Sequence, residues 1–213
     1  MKQSFIAGAL GAVCVIALAG ASFGKPHRSK AGVRQVAPIN GLLPVEAFAS
    51  IKDKAARSAT LFKEAGKVIQ SPRCLNCHPA GDRPTQYDAM TPHQPLVLRG
   101  PDNLGATGMR CTTCHGDANY EASRVPGNPQ WHLAPPEMAW QGKSLQEICE
   151  QMKDRSRNGG KSEQELVRHA KEDAVVGWGW APGAGRKPAP GSQAQFGALI
   201  EAWLQTGGRC PTL

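Results

Sequence analysis

Apolar residues recur at helical intervals in two parts of the chain. Val45, Phe48, Ile51, Ala55, Leu61, Phe62, Ala65 and Ile69 follow such a spacing and predict one long or two short helices. Towards the C-terminus, Leu145, Ile148, Cys149 and Met152 share one helical face, Leu166 and His169 lie three apart on a second, and Phe196, Leu199, Ile200, Trp203 and Leu204 form a stripe on a third. Each of these three predicted helices opens on a capping pattern: Ser144 with Glu147, Ser162 with Glu165, Ser192 with Gln195. The first ends near Asn158-Gly159 and the last before Gly207-Gly208.

Elsewhere the pattern is broken. Residues 22–43 read as an extended, weakly ordered lead-in, and "PAGDRPTQYDAMTPHQPLVLRGPDNLGATGMR" is too rich in Pro, Gly and Asp to predict regular structure. "GWGWAPGAGRKPAPG" reads as a loop. The expectation is a mainly α fold with extensive irregular loops, one domain over 44–213.

Composition changes this picture in one respect. With Gly 24, Pro 17, 6% aromatic residues and a mean hydropathy of −0.38, the side chains supply a thin apolar core for 213 residues. Something besides side chains is expected in the interior.

The N-terminus has one early lysine, an uncharged apolar run from Phe5, and small residues Ala19-Gly20-Ala21, the layout of a secretory signal over 1–21. The run from Gln3 to Gly24 is nearly long enough to be a retained anchor instead. Cys14 follows Val13 rather than the small residue a lipoprotein signal needs, so it is expected to leave with the signal. Signal removal takes only Lys2 and lowers the formal charge from +8 to +7. Part of that surplus sits in the tail at Lys25, Arg28, Lys30 and Arg34; the rest is scattered, without the interleaved aromatics of a single-strand binder, so no nucleic-acid partner is expected. His27 falls in the same tail. A membrane partner is expected only if the N-terminal segment is retained.

Export sets the reading of the six remaining cysteines, because thiols outside the cytosol pair or bind something. "CLNCH" at Cys74–His78 and "CTTCH" at Cys111–His115 repeat the c-type haem attachment pattern: two thiols for the porphyrin vinyl groups, then an imidazole for the iron. A shared zinc site would leave both histidines unexplained and needs a shorter gap. A thioredoxin-like pair needs a βαβ pattern that is not found. The expected cofactors are two covalent haem c groups, held by Cys74 and Cys77 with His78 as proximal ligand, and by Cys111 and Cys114 with His115. Thirty-three residues between Cys77 and Cys111 are too few for tandem domains. Trp178 and Trp180 are expected either against a porphyrin or against the last helix. Cys149 and Cys210 remain, and are expected to pair as a disulfide.

The sixth iron ligand separates a carrier from a catalyst. Candidates are His93, His132 and His169, with Met90, Met109, Met138 and Met152 behind them. His93 and His132 follow their motif histidines at similar intervals and each precedes a proline-containing phrase, a loose internal echo. Two closed irons would move single electrons; one open iron would instead suit a small peroxidase-like enzyme or a gas-ligand sensor.

The stretches "CLNCHPAGDRP", "TPHQP", "MRCTTCHG", "WHLAPPEMAW", "RNGG" and "GWGWAPGAGRKPAPG" together resemble small exported dihaem c-type cytochromes labelled as an isoquinoline 1-oxidoreductase subunit, from about Ser71 to Pro211. The resemblance implies a single dihaem cytochrome c domain in the periplasm. It further implies an electron-transfer subunit, more a carrier than a catalyst, that works beside a periplasmic molybdenum hydroxylase; a respiratory-chain component is the other redox partner expected. The chain has no evident molybdopterin or iron–sulfur machinery of its own.

Overall fold

The computed structural model describes residues 40–212. The expectations for the signal at 1–21, Cys14, His27 and most of the lead-in lie outside these residues. No helix among the described residues is long and apolar enough to cross a membrane.

A single 3-10 turn, Val45–Phe48, leads into α1, Lys54–Ile69. Asp53 caps α1 by accepting from the Ala56 N–H at 2.7 Å. A one-turn helix, α2 (Pro72–Leu75), follows at once and carries Cys74; Pro72 opens it, where a missing N–H costs nothing. The remaining helices are α3 (Leu145–Lys153), α4 (Glu163–Glu172), α5 (Ala174–Trp178) and α6 (Gln193–Gln205). Ser144–Glu147 and Ser162–Glu165 both form complete, reciprocal capping boxes. Ser192 caps α6 through the Gln195 N–H alone.

Helix α6 packs on both α1 and α4, and the shared apolar face is the core. Leu61, Phe62, Ala65, Val68 and Ile69 of α1 meet Leu199, Ile200 and Trp203 of α6, with Ile148, Cys149 and Met152 of α3 closing the cluster. Phe62 and Trp203 lie 4.6 Å apart, centre to centre. Side chains of this size, fully buried, each stabilise the fold by about 1.5–3 kcal/mol. Ser58 fastens the edge of this cluster, donating to the Trp203 carbonyl at 3.0 Å and accepting from the Arg209 N–H at 2.9 Å.

Three expectations are corrected. The lead-in is not weakly ordered to its end, because Leu42 is fully buried in the core and the Leu43 N–H is held by Glu64 at 2.8 Å. The stretch between the motifs contains two short antiparallel ladders, β1 (Thr85–Gln86) with β2 (Thr91–Pro92) and β3 (Gly105–Ala106) with β4 (Met109–Arg110). Proline and glycine rule out long strands but favour tight turns, and Gly105 at φ +95° adopts a conformation open to few other residues. The C-terminal part has four helices, not three: α5 begins where the Asp173 carboxylate accepts from the Val175 and Val176 N–H groups.

Cys149 and Cys210 are bonded, S–S 2.03 Å, joining α3 to the C-terminal segment.

Candidate functional site

The first motif is built on α2 and its turn. The His78 N–H is shared between the Cys74 and Leu75 carbonyls, at 3.1 and 3.2 Å, so the ring leaves the helix end at a fixed angle. Residues 134–141 then wrap the motif: the Ala134 N–H donates to the Cys77 carbonyl, and the Trp140 and Gln141 N–H groups donate to that of His78. The Trp140 indole stacks on the His78 ring at 3.5 Å and 8°. Cys74, Cys77 and His78 face a cleft walled by Met138, Trp140, Leu166, Val176, Trp178 and Phe196. Counting its open mouth, about 1150 Å³ of the cleft is free of protein atoms.

The cleft's electrostatics follow from its walls. Burial pushes the Cys74 thiol up to about 12 and the Cys77 thiol to about 11, and pulls His78 down to about 3. These thiols are not reactive thiolates of the thioredoxin kind.

The second motif stands on a 3-10 turn, Cys111–Thr113, just after β4. Cys114 is exposed and Cys111 half-buried. Burial raises the Cys111 thiol and lowers His115. The His115 ring stacks on Trp131 at 4.6 Å and 13°, and Trp131 meets Trp178 edge-on at 4.9 Å. Trp131 and Trp178 both line the first cleft, so an aromatic bridge joins the two motifs.

The distal candidates divide between the motifs. His93, positioned by the β1–β2 turn and by Arg83 donating to its carbonyl at 2.6 Å, lies 6.0 Å from His115, ring to ring. His132 and His169 both line the cleft that His78 faces, as do Met138 and Met152. Met109 is 44% exposed on the hairpin.

All five of these histidines share one feature. Nδ1 lies against an oxygen in each: the Met138 carbonyl for His78 (2.7 Å), Pro126 for His115 (2.6 Å), Pro95 for His93 (3.1 Å), Gln130 for His132 (2.5 Å), and the Asp173 carboxylate for His169 (3.0 Å). An Nδ1–H donated to oxygen fixes the tautomer that leaves Nε2 as a lone-pair donor, the arrangement typical of metal-bound histidine. No three His, Cys, Asp or Glu residues among the described ones converge on a single ion, which a shared zinc site would need. Paired thiols beside an apolar cleft, with imidazoles whose Nε2 is spare, fit haem c.

Three contributors have no role in the sequence reading. Trp140 and Trp131 contact the motif histidines directly, and Arg73, next to Cys74, is 4% exposed and lines the cleft. The signals were Arg73's position beside Cys74 and the stretch "WHLAPPEMAW", which begins at Trp131 and ends at Trp140. Trp178 and Trp180 line the cleft, and Trp180 also packs near Phe196 at 5.9 Å, which is the expected placement against the last helix.

Compared with protein-family models, curated proteins and solved structures, the chain matches none.

Proposed function

We propose that this chain is an exported dihaem c-type cytochrome that passes single electrons. The observation that carries the reading is the set of five histidines with Nδ1 engaged and Nε2 spare, two belonging to the motifs and three lying beside them. Haem c, when bound, supplies the one-electron iron couple. Cys74 and Cys77 would hold the first group through thioethers and His78 would ligate its iron, with His132 or His169 on the other side. Cys111, Cys114 and His115 would do the same for the second, with His93 completing it.

The chain's own residues explain why such a protein would carry rather than react. If His93 and one of His132 and His169 each held an iron as second ligand, no position would remain for peroxide or a gas, and the reading would favour a carrier over a peroxidase-like enzyme or a sensor. Trp140, Trp178, Trp180 and Phe196 give the first cleft an apolar wall, beside which a change of charge would need less solvent rearrangement than in open water. The Cys149–Cys210 bond is the kind formed in an oxidising compartment and supports export to the periplasm. The electron donor or acceptor would be a redox protein, a molybdenum hydroxylase by the resemblance noted above or a respiratory-chain component.

The test is expression with a c-type maturation system, followed by intact mass and a redox titration monitored by EPR. Two covalent haems and two low-spin signals are expected. A mass of bare polypeptide overturns the reading, and a resting high-spin iron would move it to the enzyme class.

A further inference from the structure

The five engaged histidines are not equivalent. Four set Nδ1 against a neutral backbone carbonyl, whereas His169 sets it against a carboxylate, Asp173 Oδ2 at 3.0 Å. That carboxylate is itself fixed. Asp173 Oδ1 accepts from the Val175 and Val176 N–H groups at 2.8 and 3.3 Å as the cap of α5, and the Asp173 carbonyl accepts from the Gln193 side chain of α6 at 2.9 Å. Oδ2 is thereby turned to the ring. A carboxylate draws the Nδ1 proton towards itself more strongly than a carbonyl does, which makes Nε2 the better donor to a metal.

Position also separates the two histidines of the first cleft. A second ligand must come from the side of the iron opposite His78. His132 belongs to the segment that wraps His78 itself: two residues on, the Ala134 N–H donates to the Cys77 carbonyl, the Met138 carbonyl meets His78 Nδ1, and Trp140 stacks on the His78 ring. The His132 ring is tied only to the Gln130 carbonyl of its own loop. His169 stands instead on α4, which packs on α5 and α6 and brings Leu166 and Ala170 to the cleft as a wall of its own.

We propose that Asp173 is a positioning residue of the first site, holding the His169 ring and strengthening its Nε2 so that His169, and not His132, closes the first iron. The inference rests on the haem reading. Asp173 then has two tasks on two oxygens: one starts α5, the other sets the donor strength of an iron ligand. A negative charge behind the ligand favours the oxidised iron, so its removal raises the midpoint potential.

The experiment compares wild type, H169A, D173N and D173S, each matured with haem, by EPR, potentiometry and near-UV circular dichroism. H169A is expected to turn one of the two low-spin signals high-spin and leave the other in place. Asparagine and serine both keep an oxygen for the cap and lose the charge. D173N and D173S are therefore expected to retain two low-spin haems and the tryptophan dichroism, move the g values of one haem, and raise the midpoint of that haem alone. Two low-spin signals in H169A overturn the choice of His169. Unmoved midpoints in the Asp173 variants, equal shifts in both haems, or a shift accompanied by loss of the tryptophan dichroism in both variants overturn the role of Asp173, the last because it reports only a lost cap. Should D173N fail to mature, D173S decides. Wild type without covalent haem would sink the haem reading itself, whereas two haems in wild type with any of the overturning results sinks only this inference.

Discussion

The two Cys-X-X-Cys-His segments have identical spacing and opposite surroundings. Cys74–His78 rides on a helical turn that continues from α1, faces an aromatic cleft, and is wrapped by 134–141. Cys111–His115 stands on a 3-10 turn at the end of a two-residue ladder, with Cys114 in solvent. The first is an extension of the hydrophobic core; the second is fastened to loops. A local motif therefore specifies chemistry, and its neighbours specify how strongly the fold depends on it.

The largest expected effect tests that dependence. Cys74→Ser with Cys77→Ser should lose one haem together with the near-UV circular dichroism of the cleft tryptophans. Cys111→Ser with Cys114→Ser should lose one haem and keep most of that signal. Equal damage from both pairs would erase the distinction between core-bound and loop-bound motifs.

Next in size is the disulfide, which ties α3 on the core side. Its partners are 61 residues apart, and on the chain-entropy model Cys149→Ala with Cys210→Ala should cost roughly 4 kcal/mol in urea unfolding. Haem attachment at the second motif should be unaffected once the protein is folded.

A smaller effect sharpens the loop side. Asn119 accepts from the Trp178 indole N–H at 2.9 Å and the Gly127 N–H at 3.1 Å, and donates to the Ala181 carbonyl at 2.9 Å, linking the loop after His115 to the end of α5. Asn119→Ala should cost about 1–2 kcal/mol and shift the EPR signal of the second iron more than the first.

The smallest effect concerns acid. The His169 ring N–H, chiefly, holds the Asp173 carboxyl down at about 2, against about 3.9 when unfolded. Because the folded value is depressed, the stabilisation is complete above about pH 4 and is lost as pH falls through about 2. Asp173→Asn should remove this part of the acid sensitivity, on the order of 1 kcal/mol after solvent screening, leaving that of Glu147, Asp154 and Glu165, which their capping and turn hydrogen bonds also lower. Acid titration of tryptophan fluorescence checks it.

Much of the helical frame was legible because its signals are local. Ser144 and Ser162 form the reciprocal boxes their sequences announce, and the stripe from Phe196 to Trp203 is the face that α6 buries. The ladders at Thr85–Pro92 and Gly105–Arg110 were hidden, since two-residue strands have no periodicity to detect. Helix α5 was hidden by its brevity and its glycine; what starts it is a carboxylate cap already committed to His169.

The sequence by itself determined the motif spacing, the pool of histidines, the pairing of the two remaining cysteines and the starts of the capped helices, because each depends on residues a few positions apart or on a count. Only the tertiary structure decided that His93 stands by His115 while His132 and His169 share the cleft of His78. Those outcomes come from segments distant along the chain meeting across loops, and no interval in the sequence encodes such a meeting.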